Sequence, residues 1–361
     1  MLNTRITELL KIRYPLIQAG MAGGPTTPEL VAAVSNQGGL GTIGGGYLRP
    51  DALRDQIRRV RELTERPFAV NLFALETVPD IEAAVVEDMN AYLNEIREDL
   101  GLSQRTGTPA VEVDFEEQVE VVVEEKVPVF SFTFGIPGAK TLQRLKEHAV
   151  IIGTATTVRE AVLLEQAGVD AVVAQGSEAG GHRGTFAEDD VNRALIGTMA
   201  LVPQVVDKVQ IPVIASGGIM DGRGLVAALA LGASAVQMGT AFLTCLESGV
   251  HQAYKQRLQA SDEDETELTR AYSGKWARGL RTTFMERMAQ YPGEIPPYPI
   301  QNALTQDIRR AAAETGNVEF MSLWAGQAHA LAASHPAGAL VQQVLEDAAA
   351  TLRTLVRAAS R

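Results

Sequence analysis

Eight short apolar runs, each followed by an amphipathic stretch, constrain this chain more than any other feature of its sequence. The runs are Pro15–Met21, Leu40–Gly45, Phe68–Ala74, Val127–Gly135, Ala149–Thr156, Ala171–Gly176, Pro212–Ile219 and Ala235–Leu243. Each is rich in Val, Ile, Phe or Ala without polar alternation, as strands buried on both faces must be. Between most of them lie helical candidates such as Pro28–Ser35, Pro50–Leu63, Val158–Ala167 and Gly222–Leu231. Strands alternating with helices make a parallel sheet. A count of eight favours an α/β fold closed as a (βα)8 TIM barrel over an open doubly wound sheet.

Two regions break the alternation. Residues 75–119 are too long for a plain connection and carry a helix near Asp80–Leu100, which predicts an insertion after the third strand. After the eighth strand, 247–316 contains the loop Tyr291–Tyr298 and reads as a mainly helical lid or substrate domain over the barrel mouth. Residues 1–246 are then the barrel. Residues 317–361, with helices expected over Phe320–Ala333 and Ala339–Ala359, pack back on it.

Apolar residues make up 46% and charged residues 21% of the chain, the composition of a soluble globular protein. The N-terminal stretch has no apolar core of a signal peptide, and no apolar run approaches the roughly 18 residues of a membrane span. A single cysteine, Cys245, excludes a disulfide framework and suits a reducing compartment, so a cytoplasmic location is expected. Between residues 76 and 125, 15 acidic residues face only Arg97 and Arg105, a local charge of −13 within a total of −12. Such a surface repels nucleic acid and anionic membrane and reads as a solvated acidic face. The remainder is near neutral, so an anionic substrate can bind elsewhere.

The active site of such a barrel lies at the C-terminal ends of its strands. Those ends are Gln18–Gly24 with Gly20, Met21 and Ala22, then Asn71, Ser131–Gly135, Thr154, Gln175–Gly184, Ser216–Gly218 and Gln237–Thr240. They are dominated by glycine and small polar groups, which suits a flat ligand bearing a phosphate. Gly217 and Gly218 after the seventh run, and Gln237, Met238, Gly239 and Thr240 after the eighth, occupy the recurrent phosphate cradle of this fold. In contrast, Gly39–Gly44 spells G-x-G-x-x-G, but a helix precedes it and the motif itself is a strand, so it is no dinucleotide fingerprint. His182 lies between glycines at the end of the sixth run, where backbone approaches ligand, and an imidazole there can serve as a general base. No second His or Cys sits at ligand spacing, so no metal is expected.

The segment Gln175–Phe186 (QGSEAGGHRGTF) resembles the nitronate monooxygenase family, formerly 2-nitropropane dioxygenase, and its class I in particular. Pro15–Gly24, Phe130–Pro137, Gly239–Lys255 and Trp324–Gln327 extend the resemblance over nearly the whole chain. It implies FMN as cofactor, without a nicotinamide requirement, and oxidation of alkyl nitronates by O2 to a carbonyl compound and nitrite. The implied FMN contacts are Met21, Asn71, Gln175, Gly180, Gly217 and Gln237 through Thr240; position at the strand ends adds Gly20, Ala22, Gly181 and Gly218. His182 matches the catalytic histidine, the base for a neutral nitroalkane. Glu247, His251, Tyr254 and Lys255 stand at family-like spacing and are expected to be structural, at the junction of barrel and lid.

One position departs. Where the family often has histidine, in Ser-Phe-His-Phe-Gly, this chain has Thr133, which hydrogen-bonds but carries no charge. Thr133 and Tyr298 are candidate substrate contacts. The alternative functions are an FMN-dependent NAD(P)H reductase of the enoyl-acyl-carrier-protein reductase type, and a flavin-free phosphate-binding barrel or non-catalytic flavin carrier. The oligomeric state stays open, with a homodimer among the options.

Overall fold

The computed structural model describes residues 2–75, 77–111, 115–187 and 190–360. In chain order its strands are β1 (Leu16–Gln18), β2 (Gly41–Gly44), β3 (Phe68–Phe73), β4 (Val129–Thr133), β5 (Val150–Ala155), β6 (Ala171–Gln175), β7 (Gly181–His182), β8 (Val213–Ser216), β9 (Ala235–Met238), β10 (Thr266–Thr269) and β11 (Ala277–Leu280). Eight of them pair in parallel in the order β1-β9-β8-β6-β5-β4-β3-β2. A bridge between Ile17 and Leu40 joins the end strands and closes the TIM barrel. All eight expected strands are present. The eighth is shorter than its apolar run, because Thr240–Leu243 turns into a helix.

The strands are apolar on both faces because both faces are covered. Ile17, Leu40, Ala69, Val129, Ile152, Val173 and Ile214 form an inner cluster, and Ile6 and Leu10 of the helix Arg5–Leu10 join it. The opposite faces pack on the outer helices in a second, larger cluster. Gly41 shows how close that packing is: a Cβ there would lie 2.1 Å from the Val31 carbonyl oxygen of the helix Pro28–Gln37. A Cβ at Gly39 would also meet Val34 of that helix, while Gly44 lies against the Met21–Ala22 backbone after β1, so the G-x-G-x-x-G string serves packing inside the barrel.

The eighth barrel helix is the C-terminal one, Ala337–Ala359, which packs on the helices Gly222–Ala230 and Pro28–Gln37. The lid is thus inserted between β9 and the helix that completes its unit. It is less helical than the sequence suggests. β10 and β11 form an antiparallel sheet with β7, and Phe320–Ala333 holds only the short 3-10 turns Val318–Phe320 and His329–Leu331. Their residues return to the lid through a bridge from Trp324 to Gly279 instead of continuing a helix.

The insertion after β3 contributes the helix Ala83–Asp99, while the barrel helix Phe115–Glu124 begins inside the stretch assigned to it. Val86, Met89, Leu93 and Ile96 of the insertion join Tyr272, Phe284, Met288, Ile300, Leu304 and Ile308 of the lid in one core. The two interruptions of the barrel rhythm therefore build a single cap. Part of the acidic run is paired: Glu124 and Glu125 with Arg54, Arg58 and Arg61, Glu120 with Arg144, and Asp99 with Arg287. Glu76, Glu112 and Asp114 of that run lie outside the described residues. Exposed pairs of this kind contribute about 0–1 kcal/mol each.

The pair inside the cap is different. Arg97 is fully buried, its Nε donates to Asp307 at 3.0 Å and its Nη2 to the Leu304 carbonyl at 2.6 Å. Removing one partner of a buried pair typically costs about 3–5 kcal/mol. Arg105, half-exposed, also reaches Asp307 and softens the loss. Arg97→Ala is expected to lower the unfolding free energy measured by chemical denaturation by the lower end of that range, whereas Arg58→Ala on the surface should leave it nearly unmoved.

Candidate active site

The C-terminal ends of the barrel strands and the underside of the cap enclose a cavity of about 650 Å³, within the range of small-molecule and cofactor sites. Of the sequence candidates, Gly20, Met21, Ala22, Asn71, Thr133, Gln175, Gly180, Gly181, His182, Gly217, Gly218, Gln237, Gly239 and Thr240 line it. Met238 is buried in the barrel core instead. Tyr298 does not line the cavity. Its ring stands behind the wall, edge-on to Phe73 and Phe134 and 6.2 Å from the His182 ring.

At the ends of β8 and β9 the amides of Gly217, Gly218 and Gly239 donate to no other group among the described residues. Gly217 has φ +111°, and a Cβ would meet Thr198 Oγ1, the Ala179 amide and the Gly176 carbonyl at 3.0–3.1 Å. Successive unspent amides on a backbone that admits no side chain are the chemistry of a phosphate cradle, and the cavity volume admits a flavin. The residues present therefore fit FMN. The N-terminus of the helix Thr198–Val206 is already taken, since Glu178 accepts from the Thr198 amide and hydroxyl at 2.9 Å.

Across the cavity, β7 places His182 opposite Ala277 of β11, and the Arg183 amide bonds to the Trp276 carbonyl. His182 Nε2 lies 2.8 Å from Ser273 Oγ. Its ring is 5.3–5.6 Å from those of Trp324 and Phe134. Burial, with the Lys275 and Arg309 cations nearby, pushes the imidazolium down to about 3. The ring is therefore neutral at any working pH, as a base must be. Phe134, at φ +80°, is stacked on Phe73 at 4.5 Å and carries the Lys275 ammonium 4.7 Å above its ring.

The loop bearing His182 is anchored from beneath. Arg183 is fully buried and donates to the carbonyls of Gly176, Gln175 and Ala194 at 2.6–3.0 Å. Gln175 spans the same loop, donating to the His182 carbonyl and accepting from the Gly184 amide. Glu160 is also fully buried. One of its oxygens accepts from Thr185 Oγ1 and the amides of Phe186 and Ala187, the other from the Thr156 amide and hydroxyl and the Thr157 amide.

The four junction residues make structural contacts. Glu247 accepts from the Ala337 amide, Lys255 donates to the carbonyls of Cys245 and Ser248, Tyr254 donates to the Trp324 carbonyl, and His251 caps the helix Gln252–Gln259. His251 and Tyr254 also line the cavity. The sequence reading missed Tyr47, Phe73, Ser273, Lys275, Asn302 and Arg309. Tyr47 and Phe73 follow the strand-end rule and were within its reach; the others come from the cap, where no such rule exists.

The profile of the nitronate monooxygenase family matches residues 3–347. The chain belongs to that family. It is 51% identical over 352 residues to a probable nitronate monooxygenase of Staphylococcus saprophyticus subsp. saprophyticus, covering 96% of this chain and 98% of that protein. A probable nitronate monooxygenase of Staphylococcus aureus is 49% identical over 346 residues, covering 96% and 97%. Among solved structures, a nitroalkane oxidase from Streptomyces ansochromogenes is similar at 39% identity and a TM-score of 0.89, covering 97% of this chain and 99% of that one. FabK from Thermotoga maritima is similar at 35% identity and a TM-score of 0.78, covering 98% and 99%. The chain is thus an oxidoreductase of a flavin-dependent family that oxidises nitronates. No described helix is long and apolar enough to cross a membrane.

Glu160 yields a test of the anchoring. Burial alone would raise its carboxyl, but the hydrogen bonds from Ala187, Phe186 and Thr156 outweigh it and hold the group below its usual 4.5. The ionised form therefore stabilises the fold fully above that value, and the contribution is lost as pH falls through the lower folded-state value. Glu160→Gln, which turns an NH2 toward donors, is expected to cost on the order of 3 kcal/mol at neutral pH. The gap between the melting temperatures of the two proteins should narrow at acid pH.

Proposed function

We propose that this chain uses FMN to oxidise alkyl nitronates with O2, forming a carbonyl compound and nitrite. His182 removes the α-proton when the substrate arrives as a neutral nitroalkane. The observation that carries the reading is one cavity with unspent glycine amides at the ends of β8 and β9 and a neutral imidazole on the opposite wall. Family membership supports the nitronate as substrate. Bound FMN would supply the electron acceptance and the reaction with O2, held by Gly217, Gly218, Gly239 and Thr240 at its phosphate and by Gly20–Ala22, Asn71 and Gln175 along its ring. Thr133, in the wall beside His182, contacts substrate as a hydrogen-bonding group only. The buried free thiol of Cys245 fits the cytoplasm.

The electrostatics of His182 divide its substrates. An imidazole made this weakly basic takes a proton slowly, whereas a preformed nitronate needs no base. His182→Asn is therefore expected to keep oxidation of ethyl nitronate and to lose about 10²-fold or more on neutral nitroethane. Oxygen uptake and nitrite release measure both, and equal losses on the two substrates would remove His182 from the role of base. With the wild type, protonation of His182 should produce no acid limb between pH 5 and 9.

The likeness to FabK favours one second reading, reduction by NAD(P)H on the same barrel. Anaerobic mixing of the flavin-loaded protein with NADH separates the two: rapid bleaching of the flavin would support the reductase, and an unchanged spectrum followed by bleaching with nitronate supports the oxidase.

A further inference from the structure

A second cation stands in the cavity wall without a counter-charge. Arg309 lines the cavity from the helix Gln306–Thr315. Its Nη2 donates to the Asn302 carbonyl and Oδ1 at 2.7 and 2.9 Å, and its Nε to Thr305 Oγ1 at 3.2 Å. Nη1 makes no bond within the described chain. The nearest acid in sequence, Asp307, is already bonded to Arg97 and Arg105. The other cations differ: Lys275 donates to the Thr185 carbonyl and does not line the cavity, and Arg310, which does line it, is largely exposed to solvent and stands 3.9 Å from the Glu314 carboxylate.

A guanidinium held in a protein wall with no carboxylate is costly unless an anion fills the space before it. Its position excludes the cofactor phosphate. Arg309 stands with Tyr47 and Tyr298, whose rings pack on Phe73 at the end of β3. In the closed strand order, β3 and β4 lie diametrically opposite β8 and β9, where the cradle is. The same side carries His182, which is neutral and brings no charge. A nitronate ends in two oxygens on one planar nitrogen, and a planar guanidinium presents donors matched to such a pair.

We propose that Arg309 determines specificity: it pairs with the two oxygens of the substrate's nitronate group and so selects the ionised nitronate over the neutral nitroalkane. This rests on the nitronate-oxidising function. It gives the cap a role in recognition, with the Arg97–Asp307 pair keeping the neighbouring carboxylate from neutralising the site.

The test uses the flavin-loaded full chain with acetate and acetamide, planar probes of equal size of which only acetate is charged. Flavin absorbance reads binding, and ethyl nitronate oxidation reads competition. Acetate is expected to bind at least ~30-fold more tightly than acetamide, the ratio a single charged partner sustains. Arg309→Gln should erase that preference and raise the KM for ethyl nitronate ~30-fold or more with a far smaller change in kcat, and Arg309→Lys should recover part of it. Equal binding of the two probes by the wild type overturns the assignment without any variant. So does a wild-type KM in Arg309→Gln, or loss of flavin from it, which would make Arg309 a cofactor ligand. A wild type that prefers acetate but oxidises no nitronate overturns the functional reading and leaves the anion site standing; nitronate oxidation without the preference does the reverse.

Discussion

Two buried side chains of opposite charge, Glu160 and Arg183, hold the loop on which the site depends. Arg183 gathers the carbonyls at the end of β6, and Glu160 gathers the amides just past His182. Each is affordable in the interior because its polar atoms are nearly all bonded; only Nε of Arg183 lacks a partner. Burial pushes the Arg183 guanidinium down to about 10, so it keeps its charge at neutral pH. Between these anchors, residues 181 and 182 are free to leave the barrel and pair with β11 of the cap. His182 is thus on a strand shared by both parts of the molecule, and barrel and cap cannot separate without disturbing it.

The cap itself is assembled from distant pieces of sequence. A helix inserted after β3 and the long segment after β9 share one apolar core and the buried Arg97–Asp307 pair. That arrangement fixes the helix carrying Arg309 over the mouth. It also distributes charge within the cavity: a neutral imidazole, a cradle of amides, and a guanidinium on the far side, each kept in that state by what packs around it.

Much of the fold was legible because it depends on local pattern. Apolar runs with no polar alternation require burial on both faces, and eight of them separated by helices leave a closed parallel barrel as the consistent solution. The rule that active sites gather at the C-terminal ends of barrel strands then picked out residues that do line the cavity, from Gly20 to Thr240. It also picked Met238, which faces the core, because alternation along a strand turns every second side chain away. Tyr298 sits behind the wall rather than in it. The helix expected over Phe320–Ala333 is absent because that stretch satisfies its backbone in turns and against the strand β11.

By itself, then, the sequence determined the barrel, the glycine cradle, the position of His182 at a strand end and the family, all of which follow from residue type and short-range spacing. Tertiary structure alone decided the rest. Arg309 reaches the cavity, and Ser273 and Lys275 reach His182 and Phe134 in its wall, only because the cap folds back over the barrel, and no periodicity encodes that approach. The protonation state of His182 was equally out of reach, since an imidazole's proton affinity is set by burial and by neighbouring charges that the linear order does not reveal.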